Sequence, residues 1–226
     1  MGLPPAAAQP VESVTVNADA VPGIWKLTRP HYIGKDGLFG AWKWGPARDN
    51  FCRLEQAGDE LIHHCLAAGE GTVTISGNHI HFAWSSMMAR LAIDGEFQSE
   101  ANFSGHTAVK LAGISTADLA LSSGVKISPA QQPGDKGGKA DLFRAILSDG
   151  LAQIPHDPRV KDSLPERTKL GNVEAIFYLG QQVRSERPWE NPTDFFTVYA
   201  IEFENGERIC GLHQRDGGTL DAFQCT

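Results

Sequence analysis

Between Gly71 and Trp84 the chain reads Gly71-Thr-Val-Thr-Ile-Ser-Gly-Asn-His-Ile-His-Phe-Ala-Trp84, with apolar and polar residues alternating on both sides of Gly77-Asn78. Alternation with period two marks a half-buried strand, and a glycine turn between two such runs closes a hairpin. The turn pairs Ile75 with Ile80, Val73 with Phe82 and Thr74 with His81. One face is then Val73, Ile75, Ile80, Phe82 and Trp84, and the other is Thr72, Thr74, Ser76, His79 and His81.

The stretch Phe51 to Cys65 folds in the same way about Gly58-Asp59. Ala57 meets Glu60, Gln56 meets Leu61, Leu54 meets His63, and Cys52 falls opposite Cys65. Glycine at the first turn position suits the tight turns that match strand twist. Counting outward makes Cys52–Cys65 a non-hydrogen-bonded pair, where antiparallel backbones approach most closely and a disulfide fits.

Further strands are expected at Pro22 to Arg29, at Leu38 to Trp44 and from Gly105 to about Ile114. A three-residue hairpin loop at Asp94-Gly95 lines up Ile93 with Phe97. Short strands in such succession describe an up-and-down meander, which closes most economically into a barrel or folds over as a sandwich. Composition shifts after Ser115, and Pro129-Ala-Gln-Gln-Pro-Gly-Asp-Lys-Gly-Gly138 reads as a linker or long loop. Asp141 to Gly150 has a cap, an i,i+4 apolar pair and a glycine stop, and so predicts a short helix. Asn172 to Leu179 and Phe195 to Phe203 read as strands, the latter apolar on both faces and so central. A turn at Asn205-Gly206 pairs Ile201 with Cys210, and one at Gly217-Gly218 pairs Cys210 with Cys225. That two-residue turn puts the second cysteine pair at a hydrogen-bonded position, unless the loop is longer and bulged.

The fold class is therefore mostly antiparallel β, a meander barrel or sandwich with a smaller α+β extension. Residues 1–20 are a loosely attached arm, 21–115 the barrel-like domain, 116–139 a linker or long loop, and 140–226 a helix plus antiparallel sheet.

The chain has 226 residues, 41% hydrophobic and 21% charged, enough for a sizeable core and ordinary for a globular protein. Its net charge of −7, with no basic stripe, argues against nucleic acid or an anionic membrane as the main partner. No apolar run reaches the ~18 residues of a membrane span. The four cysteines allow three connectivities, and hairpin geometry favours the two local pairs. Paired cysteines in a β-rich chain point to an oxidising compartment. Met1 to Pro10 is rich in Ala and Pro and reads like the tail left after a signal peptide is removed. The expectation is a periplasmic or secreted protein, with oligomers compatible.

Gly23-Ile-Trp25, the Cys52/Cys65 hairpin and Gly71-Thr-Val-Thr-Ile-Ser-Gly77 resemble a group of secreted bacterial β-domains of unknown function. Those also start with Gly-Leu/Ile-Trp and carry a cysteine pair around a glycine turn. Gly23-x-Trp25 on a first strand is also similar to the lipocalin and wider calycin signature. The resemblance covers roughly residues 22–114 and implies a fold but no catalytic residues.

Candidate chemistry centres on histidine. His79 and His81 lie two apart on a strand and share a face, a spacing that metal sites on sheets use. His63, His64, His106, Glu55 and Glu70 are further candidate ligands, yet a solvated Thr/His wall explains the same pattern, and no metal or cofactor is assigned. His79, His81 and Tyr32 are candidate proton-transfer groups, while Thr74, His63, Trp42 and Trp44 are candidate ligand-binding groups. The direction of the Thr72–His81 face decides between these readings. No nucleophile elbow, phosphate loop or dinucleotide fingerprint is present. The leading expectation is an exported barrel that binds a small hydrophobic or aromatic molecule. The alternatives are a cofactor-independent lyase, isomerase or hydrolase working in the barrel cavity, and a protein-interaction or inhibitor module using the loop around Trp189.

Overall fold

A computed structural model describes residues 14–29, 32–35, 42–45, 48–66, 69–85, 89–111, 114–132, 170–183, 195–214 and 220–226. The expected helix at 141–150 and the loop around Trp189 lie outside these residues. No helix among the described residues is long and apolar enough to cross a membrane.

Strand β1 (Gly23–Arg29) is followed by β2 (Tyr32–Lys35) and β3 (Trp42–Gly45), which form a two-stranded ribbon of their own. Seven strands then run as a continuous meander: β4 (Arg48–Ala57), β5 (Glu60–Cys65), β6 (Gly69–Ser76), β7 (His79–Ser85), β8 (Ala89–Ser99), β9 (Asn102–Leu111) and β10 (Ile114–Ile127). β1 pairs antiparallel with both β4 and β10 and so closes an eight-stranded barrel with no free edge. Of the barrel and the sandwich that the alternation allows, the closed barrel is the architecture observed, as the lipocalin resemblance implies.

Both leading hairpins have the expected registers, Cys52↔Cys65 through Ala57↔Glu60 and Thr74↔His81 through Ile75↔Ile80. The turn glycines Gly58 and Gly77 both sit at φ 64°, where a side chain is penalised. Inward residues fill the lumen: Trp25, Leu54, Val73, Phe82, Trp84, Ile93, Phe97 and Phe103 form one buried cluster. Phe103 stands at its centre, with ring centroids 5.7 Å from Trp25, 5.5 Å from Phe82 and 6.1 Å from Phe97. An eight-stranded barrel has an interior about wide enough for side chains to fill it, and these rings do so.

Several expectations are corrected. Asp94-Gly95 is not a turn, because β8 runs straight through it and turns into β9 only after Ser99, pairing Phe97 with Phe103. Gly95 is there to admit a ring: a Cβ on it would lie 2.7 Å from Phe103 Cδ2. The stretch 116–127, expected as linker, belongs to β10, so the barrel extends past 115 to Ile127. Its small residues are packing devices, since a Cβ on Gly124 would lie 2.0 Å from Phe103 Cε1. The arm is not loose over its described part. Val16 and Val21 are buried in the barrel core, the Trp25 indole N–H donates to the Val21 carbonyl at 2.8 Å, and Lys126 donates to Ala20. Of the strand expected at 38–44, Trp42 to Trp44 lie on the ribbon strand β3 and not in the barrel wall, and 38–41 lie outside the described residues. Tyr32 lies at the start of β2.

The second sheet has the order β11 (Val173–Val183), β12 (Phe195–Phe203), β13 (Gly206–Gln214), β14 (Leu220–Cys225). β12 is internal and buried along most of its length, as its two apolar faces require. The β12–β13 turn is Glu204-Asn205, one residue before the expected site, so Ile201 meets Arg208 and Tyr199 meets Cys210. The Glu204 carboxylate accepts from the Asn172 side chain and backbone, and Asn205 N–H donates to Leu170, which anchors the turn there. The shift is two residues in register, so every side chain keeps its face. Cys210 pairs with Cys225, and a bulge between His213 and Gln214 places the pair next to the hydrogen-bonded Ile209/Thr226 position. The cysteines therefore occupy a close pair with Cα atoms 4.1 Å apart, like Cys52 and Cys65 at 4.0 Å. Both bridges join directly opposed residues.

The sheet packs on the outer wall of β1 and β4. Ile24, Phe51, Leu66, Leu179, Phe196, Val198, Ala200 and Ile209 form a buried cluster across that seam. Gly180, at φ 146°, takes the end of Phe51, whose Cζ would lie 3.2 Å from a Cβ there. The Gln182 side-chain amide locks the seam: Phe51 N–H donates to its Oε1 at 2.9 Å, and its Nε2 donates to the Leu66 carbonyl at 2.8 Å. Charges cluster nearby, where Arg53 pairs with Glu55. Burial and the facing Glu202 push the Glu207 carboxyl up, against the pull of Arg53.

Gln182→Leu strands two buried backbone groups and should cost about 3 kcal/mol. Urea unfolding of the variant measures this, and a loss below about 0.5 kcal/mol, the range of ordinary surface changes, would remove the seam lock. Replacing Cys52 and Cys65 together by Ser opens a 13-residue separation and should cost about 3 kcal/mol in the same assay.

Candidate functional site

The direction of the Thr/His face is settled by the register. Val73, Ile80, Phe82 and Trp84 point into the core, so Thr74, His79 and His81 stand on the outer wall. Across that wall, β6 to β10 align residues in rows. One row is Thr74, His81, Asp94, His106 and Leu121, and the next is Ser76, His79, Glu96 and Ser104. His79 and His81 therefore face outward and not into a barrel cavity, which corrects the placement that the catalytic expectation required.

The two rows do not lie on a plain convex wall. Between them runs the backbone of Gly95 and Gly105, which are directly paired. Neither carries a side chain inward, and a Cβ on Gly105 would lie 2.0 Å from the Asp94 carbonyl oxygen. The wall thus sinks onto the Phe103 ring and leaves an outer groove of about 510 Å³. Thr74, His79, His81, Asp94, Glu96, Ser104, His106 and Leu121 line it.

His81 Nδ1–H donates to Asp94 Oδ1 at 2.5 Å, which orients the ring on the wall. His79 Nδ1 lies 3.8 Å from Glu96 Oε1. His106 is the cross-strand partner of Asp94 on its other side. The side chains of His81 and His79 are 44% and 63% exposed, so a molecule in the groove can reach both. Among the described residues no three His, Cys, Asp or Glu converge to hold a metal ion. Leu121 is 59% exposed and forms an apolar end to the row.

His63 is elsewhere. It lies fully inside the barrel, with its ring centroid 4.2 Å from that of Trp84. Gly71 makes the room, since a Cβ there would lie 2.4 Å from His63 Nε2. Nε2–H donates to the Ala83 carbonyl at 3.1 Å, and Nδ1 faces Cys65 Sγ at 3.5 Å. Burial pushes its pKa down to about 4, against the Ala83 hydrogen bond, so the ring is neutral at pH 7. His63 is a core residue. Its neighbour His64 lies on the outer face between Glu55 and Glu70, 3.5 Å from each.

Trp42, Trp44 and Tyr32 sit on the β2–β3 ribbon, where Lys35 pairs with Trp42, Ile33 with Trp44 and Tyr32 with Gly45. Their side chains lie outside the described residues. The site residues that sequence reasoning missed are Asp94 and Glu96, whereas His106 was among its candidate ligands and does lie beside His81 and Asp94. A signal was available: Leu91, Ile93, Gly95 and Phe97 keep the inward period unbroken, and Ala92, Asp94 and Glu96 keep the outward one. Reading Gly95 as a turn broke that period.

No protein-family model matches the chain, and a search of curated proteins finds no match.

The buried His63 gives a signed pH dependence. Its folded pKa lies below its unfolded value of 6.5, so the unfolded chain takes up the proton first. Stability should be highest above pH 6.5, fall by roughly 3 kcal/mol as pH drops through 6.5 toward 4, and level off only below pH 4. His63→Phe should flatten that part of the profile in urea titrations at stepped pH. An unchanged slope would assign the pH dependence to other groups.

Proposed function

We propose that this is an exported binding protein for a small polar molecule held in the outer groove over Gly95 and Gly105. The observation that carries the reading is the groove itself: about 510 Å³, with three imidazoles and two carboxylates along its length. That volume falls within the ~300–1,000 Å³ of small-molecule sites. Two disulfides between directly opposed strands support an oxidising compartment, periplasmic or extracellular. The Gly23-Ile-Trp25 start and the cysteine hairpin support kinship with the secreted calycin-like domains.

A hydrophobic or aromatic ligand in the lumen is less well supported. Packed rings occupy that space, whereas the open concavity carries histidine, carboxylate and hydroxyl side chains. The groove suits a molecule that both donates and accepts. Asp94 and Glu96 only accept when ionised, whereas neutral histidine and the hydroxyls of Thr74 and Ser104 do both. A polyol or monosaccharide meets those needs better than a simple anion, which the carboxylates repel.

Thermal unfolding of the full chain against a panel of monosaccharides, polyols and amino acids tests this. A ligand should raise Tm saturably, and Asp94→Asn and His106→Ala should each weaken its binding about tenfold, equal to ~1.4 kcal/mol. Ligands whose binding ignores both substitutions would sink the groove reading.

A further inference from the structure

A second hollow of about 380 Å³ opens on the same wall. Its floor is the next cross-strand row, Thr72, Ala83, Ala92 and Ala108, and it reaches Ser85 and Arg90 in the row beyond. His81 lines both hollows. The two therefore meet at His81 along the strands. From the His79/Glu96 row to the Ser85/Arg90 row is six residues, about 20 Å at ~3.3 Å per residue.

The chemistry changes along that line. At one end, acceptors and amphoteric groups alternate. In the middle, the methyls of Ala83, Ala92 and Ala108 make an apolar strip. At the far end is a cation, Arg90. Among the described residues no carboxylate pairs with Arg90, and Glu70 on β6 is turned to His64 at 3.5 Å. Arg90 stands four residues from Asp94 on β8, about 13 Å away and beyond a Debye length in saline, so Asp94 does not neutralise it. Trp84, which lines this hollow, carries a buried indole N–H with no acceptor among the described residues.

We infer that the two hollows form one trough for an extended, hydroxyl-rich chain bearing a single terminal carboxylate, a neutral oligosaccharide ending in one uronate, with Arg90 as its acid-recognising residue and the neutral rings over Asp94 and Glu96. Sugar rings offer hydroxyl edges to the His/Asp rows and apolar C–H faces to the alanine strip. A carboxylate matches the planar donor fork of Arg. The inference rests on the groove being a ligand site, and it adds the length and charge of the ligand.

The test is calorimetric titration of the full chain with a free uronate monosaccharide, oligosaccharides up to hexamer that end in one uronate (the acidic chains) and neutral oligosaccharides of equal length. Acidic tetramers should bind about tenfold or more tighter than both the monomer and the neutral tetramer. Arg90→Ala should abolish the preference for acidic over neutral chains. Ala92→Trp, which fills the apolar strip, should bring tetramer affinity down to that of the monomer and leave monomer binding intact. Retained monomer binding also shows that this variant is folded. If the monomer and tetramer bind alike, or Arg90→Ala leaves the acidic preference intact, the trough is overturned while the groove reading stands. If no saccharide binds, and polyols or amino acids bind in a manner sensitive to Asp94→Asn, the uronate assignment falls alone. If nothing in either panel binds, both readings fall.

Discussion

Room for the Phe103 ring is the constraint that shapes this barrel. The ring meets Trp25, Phe82 and Phe97 at the centre of the lumen. It fits only because the wall above it has no side chains pointing inward at Gly95 and Gly124. The same absence draws the strands down over the ring, and the outer surface sinks between the His81 and His79 rows. Core packing and the candidate site are thus two sides of one piece of wall. A glycine that reads as a turn signal in one dimension is, in three, the floor of a groove.

The second sheet is joined to the barrel by shape and by hydrogen bonds together. Phe51 projects outward from β4 into the space left by Gly180, and the Gln182 amide completes the backbone pairing of Phe51 and Leu66. A buried amide with both ends satisfied specifies a single docking geometry, which hydrophobic contact alone does not. The disulfides act inside each unit rather than between them. Each ties neighbouring strands at a close pair, and neither crosses the seam.

What was legible from sequence follows the range of the physics involved. The hairpins at Gly58-Asp59 and Gly77-Asn78 are local: turn glycine, alternation and cysteine spacing all agree within about fifteen residues. Their registers held residue for residue. Asp94-Gly95 has equally good local turn chemistry, and it lost to a long-range demand, the ring of Phe103. Ser122 to Gly124 looked like linker because small polar residues are common in loops. In the barrel they face crowded positions, where Ser122 hydrogen-bonds Thr107 and Gly124 lies under Phe103. The Asn205-Gly206 signal identified the hairpin but misplaced its register by two residues, because Glu204 and Asn205 are held by Leu170 to Asn172.

The candidate site shows the same division. His79 and His81 were paired on one face by spacing alone, and His63 was placed with Leu54 and both cysteines. Period-two geometry requires both results, and both hold. Alternation also separated inward from outward residues, since burial acts on every second position of a strand. It did not say which set faces the lumen, because a sheet can bury either face. It did not bring Asp94, Glu96 and His106 beside the two histidines either. Both outcomes depend on how distant strands pair and on what fills the space they enclose. By itself the sequence determined antiparallel strands, two stapled hairpins and the sharing of faces. The tertiary structure decided that the polar face is the outer one, and that the wall beneath it is hollowed, because only closure of the barrel around Phe103 sets where the backbone must give way.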